Sequence, residues 1–489
     1  MVKSVIGDEN QLKLVEDRLA RSAVPSQIGL VIGKLNSKLD RGFVYDLVPT
    51  PPNDAGEQPC SVIDGAGDVS KSKKKVSSKA KSQSESSSLF IDHDWVFEHA
   101  RQVSRMLLGG MKVVGIYVWV SESLFKNSTI TLCQTVIGVA QAASTMMDDI
   151  NERLLLHISY SPLRWTCRNC SLSANITSGS LWPCDFKTGK ILGSLQTFRC
   201  MYNFDLRLPI PCDDGSDIKI LSDALRNEIM VCAKELKGVK ALIDGKLVGG
   251  DDLSLTDDFH EVEFLLPFMQ DKYLEACNQK VVLGVLLLRG SVCSLSYLNS
   301  KEPVSQALVD IKEDIIRSLL SRLDIMCDEA ERDIESVTSG DQGTNSLSSE
   351  DHIANFDLQA QRKQCNLSFP RRVFVPWLEG AYICDYIQSK ETLEVLKDHC
   401  VELMSVEFPT DSSEILEPES EAPAVIASTG KTFWNVATDH SSPVNLHTSV
   451  SKTRKTGNGR PAKTADFVVL FAIFFLLVAM VVFNFTGKM

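Results

Sequence analysis

The sequence predicts a mixed α+β protein with two folded regions and a transmembrane helix at its C-terminal end. Three observations predict this. Apolar runs of strand length alternate with stretches of helical period as far as about residue 408. Three polar, low-complexity stretches divide the folded parts. Phe467 to Phe483 reads FVVLFAIFFLLVAMVVF, with no charge, proline or glycine.

The apolar run sets the topology. At roughly 1.5 Å per residue it spans about 26 Å of hydrocarbon, enough to cross a bilayer. It has no polar stripe on any face, as a core helix of a globular domain would. Lys452, Arg454, Lys455, Arg460 and Lys463 precede it and Lys488 follows, so the positive-inside rule leaves the long N-terminal part in the cytosol. The start, MVKSVIGDENQLKLVEDRL, lacks the apolar core of a secretory signal. The expectation is a single-pass tail anchor at 467–485. Its short span suits the thinner endoplasmic reticulum membrane.

Composition agrees with a cytosolic body. The 14 cysteines show no disulfide-scaffold spacing. The sequons at Asn127, Asn175 and Asn366 would carry sugar only in a secretory lumen. A formal charge of -12 argues against nucleic acid as a partner.

The polar stretches place the boundaries. Residues 65–89, around KSKKKVSSKAKSQSESSS, read as a disordered insertion in a first region, 1–210. A second region, 211–408, carries a similar loop at 336–351. Residues 409–465 start acidic and end basic and read as a flexible tether.

Within the first region, IGLVIGKL (28–35) and GFVYDLVPTPP (42–52) read as paired strands, closed by prolines. A helix follows over 94–107, with apolar positions at Trp95, Val96, Ala100, Val103 and Leu107, and Gly109-Gly110 ends it. MKVVGIYVWV (111–120) reads as a buried strand, then a helix over 130–152 and a strand at LLLHISYS. In the second region, strands are expected at FRCMYNFDLRLPI and KVVLGVLLLRGSV, with a helix over 218–236 between them. Pro303 opens a long helix to about Arg332, with Val304, Leu308, Ile311, Ile315, Leu319 and Leu323 three or four apart. RRVFVPW and AYICDYI form a strand pair, and 391–404 a final helix.

Residues that carry chemistry form no intact site. Cys167 and Cys170 make a CxxC, followed by Cys184 and Cys200, but there is no second CxxC or HxxxH to complete a zinc centre. Gly29-xxx-Gly33-Lys34 is one residue short of a phosphate loop, with Leu35 where a magnesium-binding hydroxyl belongs. Cys384 stands beside Asp385 in an apolar strand with no local histidine partner. Glu98 and His99 are helix neighbours about 100° apart and do not converge on one atom. No catalytic residue, cofactor site or metal ligand is therefore assigned.

DWVFEHARQVSRMLLGGMKVVGIYV (94–118), PRRVFVPWLEGAYICDY (370–386), the IGLVIGK start and the hydrophobic tail together resemble the odorant-response abnormal protein 4 family, as a plant-type member. The resemblance implies a membrane-anchored endoplasmic reticulum protein that supports maturation and trafficking of membrane proteins such as G-protein-coupled receptors. It also implies a partnership with the ubiquitin-fold-modifier-specific protease. The first region further resembles the MPN (JAB) fold, a hairpin, a helix and a strand that ends in a His-x-His zinc site. Val118 and Val120 fall where those histidines are needed, and valines bind no zinc. The resemblance thus implies an inactive MPN-like module in 1–210, in a non-enzymatic adaptor or chaperone. The alternative is a membrane-anchored cysteine or zinc hydrolase built around Cys384 or Cys167. Deleting Asp466–Met489 is expected to move the protein to the cytosolic fraction still folded. Retention on membranes after a high-salt wash would show a second membrane-binding element.

Overall fold

The aliphatic runs of the N-terminal half are apolar on both faces, so their strands need cover on both sides. The computed structural model describes residues 2–22, 24–36, 40–63, 87–144, 152–172, 181–211, 221–248, 258–266, 282–299, 302–338, 369–388, 391–420 and 426–427. Met1–Ala437 forms one compact unit.

The chain begins with β1 (Ser4–Asp8) and α1 (Glu9–Arg21), then β2 (Gln27–Asn36), β3 (Arg41–Pro49), β4 (Cys60–Ile63) and β5 (Ser88–Ile91). Next come α2 (His93–Met106), β6 (Lys112–Trp119), α3 (Glu122–Asn127), α4 (Thr129–Ala143), β7 (Glu152–Tyr160), β8 (Leu163–Ser171) and β9 (Leu181–Gly189). These strands close a barrel in the order β1-β3-β2-β6-β7-β8-β9, while β4 and β5 pair separately. β1 runs parallel to both β3 and β9 and so completes the ring. Asp8 holds that closure: one carboxylate oxygen caps α1 at the Asn10 and Gln11 amides, and the other accepts from Ile191 and Leu192 just past β9.

Side-chain alternation, reset by a register shift at Val114, assigns the two faces of the barrel wall to two cores. Along β6, Val114, Tyr117 and Trp119 join a core shared with Leu12, Val15 and Leu19 of α1. Val113, Ile116 and Val118 join the core shared with α2 and α4. The hairpin 28–52, the helix 94–107 and the strand 111–120 are present as β2–β3, α2 and β6. The helix expected over 130–152 is α4, which starts where expected but ends at Ala143, and α3 precedes it as a separate helix. β1, α1, β8 and β9 were not foreseen.

β10 (Leu195–Pro211) leaves the barrel and pairs antiparallel with β14 (Val282–Asn299), from Leu195↔Asn299 to Pro211↔Val282. The expected region boundary at 210/211 falls at the far end of this strand. α5 (Leu221–Gly238), β11 (Lys240–Ile243), β12 (Lys246–Leu247) and β13 (Phe259–Leu265) lie between them in sequence. The second sheet has the order β12-β11-β13-β10-β14-β17, with β17 being Ile426–Ala427. α5 and α6 (Val304–Thr338) share a core with it through Leu225, Ile229, Ile311, Ile315, Leu319 and Leu323. β15 (Arg371–Leu378), β16 (Ala381–Ile387) and α7 (Leu393–Met404) return to the first core, where Val373, Ile383 and Leu396 join Val96, Ala100 and Val103 of α2.

The two layers meet at Gly109-Gly110. Both have positive φ, at 68° and 78°. A Cβ on Gly109 would sit 1.9 Å from the Tyr297 ring, and one on Gly110 2.3 Å from the Asp310 carboxylate, so glycine is required for backbone and packing reasons together. Lys34 of β2 crosses the same seam, donating to the Tyr297 carbonyl and to Asp310, both at 2.6 Å.

The first residues of the stretch expected as a tether, 409–465, belong to the folded body. Ser412–Glu414 form a 3-10 turn, Ile415 is buried, and Leu416 bridges to Phe374. Glu419 is fully enclosed and accepts from Arg322, from Arg372 and from the Cys293 amide. An acidic stretch is thus drawn into the fold by buried guanidinium groups. The anchor expected at 467–485 lies outside the described residues, and among the described residues no helix is long and apolar enough to cross a membrane. A chain that ends at Phe408 lacks Glu419 and should lose about 3–5 kcal/mol, because a buried charge pair is broken from one side. Urea unfolding of bodies ending at Phe408 and at Ala437 should place the shorter one well below the longer.

Candidate functional site

Val118 and Val120 lie two residues apart at the end of β6 and so point to the same face. Both are fully buried in the core that contains α2 and α4. The two positions where the MPN resemblance needs imidazoles are thus packing positions. Val103 and Leu107 of the predicted helix pack into this core, but Trp95 is only half-buried and donates its indole N–H to the Pro51 carbonyl at 2.8 Å. The buried stripe of the helix is Val96, His99, Ala100, Val103 and Met106. Trp95 precedes the buried stripe by one position, about 100° around the helix.

A histidine does stand next to Val118, on the neighbouring parallel strand. His157 is paired in register with Val118, stacks on Phe125 with centroids 4.1 Å apart, and places Nε2 3.1 Å from the Val120 carbonyl. Its pKa is lowered, chiefly by burial. With the Thr166 hydroxyl 3.4 Å from Nδ1, both ring nitrogens have protein partners.

The cysteines of the candidate zinc ribbon are separated by strand geometry. Cys167 and Cys170 lie three apart on β8, so they face opposite sides of the barrel wall. Cys167 joins the α1 core, where its thiol meets that of Cys184 across β8–β9. Cys170 joins the α2 core, where it meets Cys133 of α4. Cys200 is buried in the core of the second sheet, which pushes its thiol up to about 12. Among the described residues no group of three or more His, Cys, Asp or Glu side chains is placed to hold a metal ion.

The remaining candidates disperse in the same way. Gly29, Gly33 and Lys34 lie inside β2, with the Lys34 amine committed to Asp310. Cys384 is buried, donates to the Arg105 carbonyl at 3.4 Å, and burial pushes its thiol up to about 12. Asp385, next along β16 and therefore on its other face, holds His399 at 2.7 Å. Glu98 is bonded to Arg101 and Gln102 at the surface, while His99 is buried between Thr50 and the Leu403 carbonyl.

Sequence reasoning missed the polar cluster under β14. Arg372 donates to Asp314, Glu419 and the Cys293 carbonyl, and Arg322 to Glu419 and the Ser291 carbonyl. Burial pushes the Asp314 carboxyl up, but Arg372 and Arg317 outweigh it and hold the carboxyl below its usual range. These residues are scattered from 291 to 419, and no local pattern links them.

Fold and site together define a mixed α+β protein whose candidate centre is closed by core packing. The family model for Odorant response abnormal 4-like proteins matches residues 29–415. The chain belongs to the Odorant response abnormal 4-like family. Relatives include the Protein odr-4 homolog of Mus musculus, 24% identical over 425 residues, covering 81% of this chain and 82% of that protein. The Protein odr-4 homolog of Xenopus tropicalis is 25% identical over 360 residues, 67% of this chain and 74% of its own length. That of Dictyostelium discoideum is 24% identical over 396 residues, 79% and 77%. A solved structure, UfSP from C. elegans, superposes with a TM-score of 0.37 at 7% identity, covering 83% of this chain but only 57% of that chain.

The buried histidines set an acid limit on stability. Burial lowers the His99 pKa from 6.5 to about 4, so the unfolded chain binds the proton first as pH falls. Stability is full above about pH 6.5 and should decline by about 3 kcal/mol as the pH approaches 4. His157 acts in the same direction. His399, raised by its bond to Asp385, contributes in the opposite sense, stabilising below about pH 6.5 and losing this as pH rises, but its half-exposed position screens it. Denaturant titrations at several pH values should show this slope, flattened in His99→Gln relative to its own neutral-pH stability.

Proposed function

We propose that this protein is a non-enzymatic adaptor or chaperone, tethered to the endoplasmic reticulum membrane with its folded body in the cytosol. The observation that carries the reading is the complete burial of Val118 and Val120 in the α2 core, which leaves an MPN-like module with no room for a zinc centre. Family membership supports a role in trafficking, as the name of the family refers to an odorant response. The apolar run at 467–485 and the basic residues before it support the tether. In this reading the body recruits a ubiquitin-fold-modifier-specific protease and supports membrane-protein clients such as G-protein-coupled receptors. Both partners follow from the family resemblance.

The rival hydrolase reading needs an accessible, activated nucleophile. Cys384 and Cys167 are buried, and the pKa of each thiol is raised, for Cys384 by burial and for Cys167 first by its bond to Cys184. In the adaptor reading, the purified body turns over no modifier-fused substrate, with or without added zinc. Val118→Ala and Val120→Ala then each cost only packing energy, roughly 1–3 kcal/mol. Chelator-sensitive turnover by the wild-type protein would overturn it. Affinity purification from native membranes tests the partners, and absence of the protease from the eluate would remove it from the reading.

A further inference from the structure

We propose that Cys167 and Cys184 form a peroxide-oxidisable dithiol that locks the closing hairpin of the barrel. The two residues are directly opposed in the antiparallel β8–β9 register, and their thiols are near enough that each shifts the other's titration. Directly opposed antiparallel residues have Cβ atoms about 4.5–5.5 Å apart, and a disulfide needs about 3.5–4.5 Å, so a small closing movement suffices. The inference rests on this geometry and is independent of the adaptor reading.

The two sulfurs differ in access. Cys184 is 9% exposed and Cys167 4%, so oxidant reaches Cys184 first. Cys184 Sγ also lies 3.8 Å from the Val2 carbonyl and 3.9 Å from that of Asp185. Its contact with Cys167 lowers the Cys184 pKa despite burial, which favours the thiolate that attacks peroxide. In that step the Cys184 sulfur attacks one oxygen of hydrogen peroxide. The O–O bond breaks, a sulfenic acid forms, and the displaced hydroxide leaves as water with the thiol proton. The Cys167 sulfur then attacks the sulfenic sulfur, the S–S bond forms, and the sulfenic oxygen departs as a second water carrying the Cys167 proton. Two thiols and one peroxide thus give one disulfide and two waters. Dithiols of the reducing cytosol reverse it by exchange.

The bond would act where the barrel closes. β9 joins β1 from Ser4↔Asp185 onward, one residue past Cys184, and β8 joins β7 along its whole length. A second thiol pair, Cys133 and Cys170, makes a similar contact between α4 and β8, but both residues are fully buried. It serves as an internal comparison with the same chemistry and no access.

The test uses the purified full-length chain, exposed to graded hydrogen peroxide. Free thiols are then alkylated under native conditions and disulfides mapped by mass spectrometry before and after dithiothreitol. The expected result is a Cys167–Cys184 cross-linked peptide that appears first and vanishes on reduction, while Cys133 and Cys170 stay reduced and become alkylated only after unfolding. The apparent Tm should rise on oxidation and return on reduction. In Cys167→Ser, a dimedone adduct should accumulate on Cys184. Oxidation of other cysteines before this pair overturns the proposal. So does conversion of wild-type Cys184 to sulfinic acid without the cross-link.

Discussion

Arg322 and Arg372 are both almost wholly enclosed, and their guanidinium groups reach the Asp314 and Glu419 carboxylates beneath the edge of β14. A sheet edge carries backbone groups that need partners. Along β14 the cluster supplies them: Glu419 accepts from the Cys293 amide, while Arg372 and Arg322 donate to the Cys293 and Ser291 carbonyls. α6 contributes Asp314 and Arg322, β15 contributes Arg372, and the segment after α7 contributes Glu419. Charges this deep add little net stability as pairs, but each costs several kcal/mol if left alone, so the arrangement tolerates one geometry. That constraint places β15–β16 and α7 against α2, and so sets the core around Val118 and Val120.

A second constraint is the Lys34–Asp310 pair beside Gly109-Gly110. It joins β2 of the barrel to α6, and Tyr297 is held from several sides: its amide by Gly109, its carbonyl by Lys34 and its hydroxyl by the Tyr382 amide. Both clusters draw on α6, which is why a helix with an ordinary amphipathic pattern has Asp310 and Asp314 among its buried residues. The barrel, the second sheet and the β15–β16 hairpin are thereby held in one unit. The acidic strap ending at Glu419 also moves the start of any tether toward the C-terminus.

Strand alternation explains why the chemistry-bearing residues form no common site. Cys167 and Cys170, close in sequence, are sent to different cores and meet Cys184 and Cys133 instead. Cys384 and Asp385 are divided by the same rule, and Asp385 finds His399 one helix away. Residues two apart share a face, and at the end of β6 that pair is Val118 with Val120, both apolar.

The apolar period by itself determined the hairpin at 28–52, the helix that became α2, the strand 111–120, the long helix after Pro303 and the pair at 371–387, because burial of one face leaves a readable repeat. That Val118 and Val120 stand where an MPN zinc site would need histidines came from the family resemblance and not from the period. β1 and α1 escaped notice because β1 is a short strand and α1 is polar over most of its surface, with only Leu12, Val15 and Leu19 buried. Tertiary structure alone decided that β10 and β14 pair along their length, that Trp95 lies beside the buried stripe and not within it, and that Cys167 faces Cys184. It also decided the fate of Glu419, which in an acidic low-complexity stretch reads as solvated linker. The partners that bury it, Arg322 and Arg372, lie 97 and 47 residues away, and no local pattern encodes an attraction at that range.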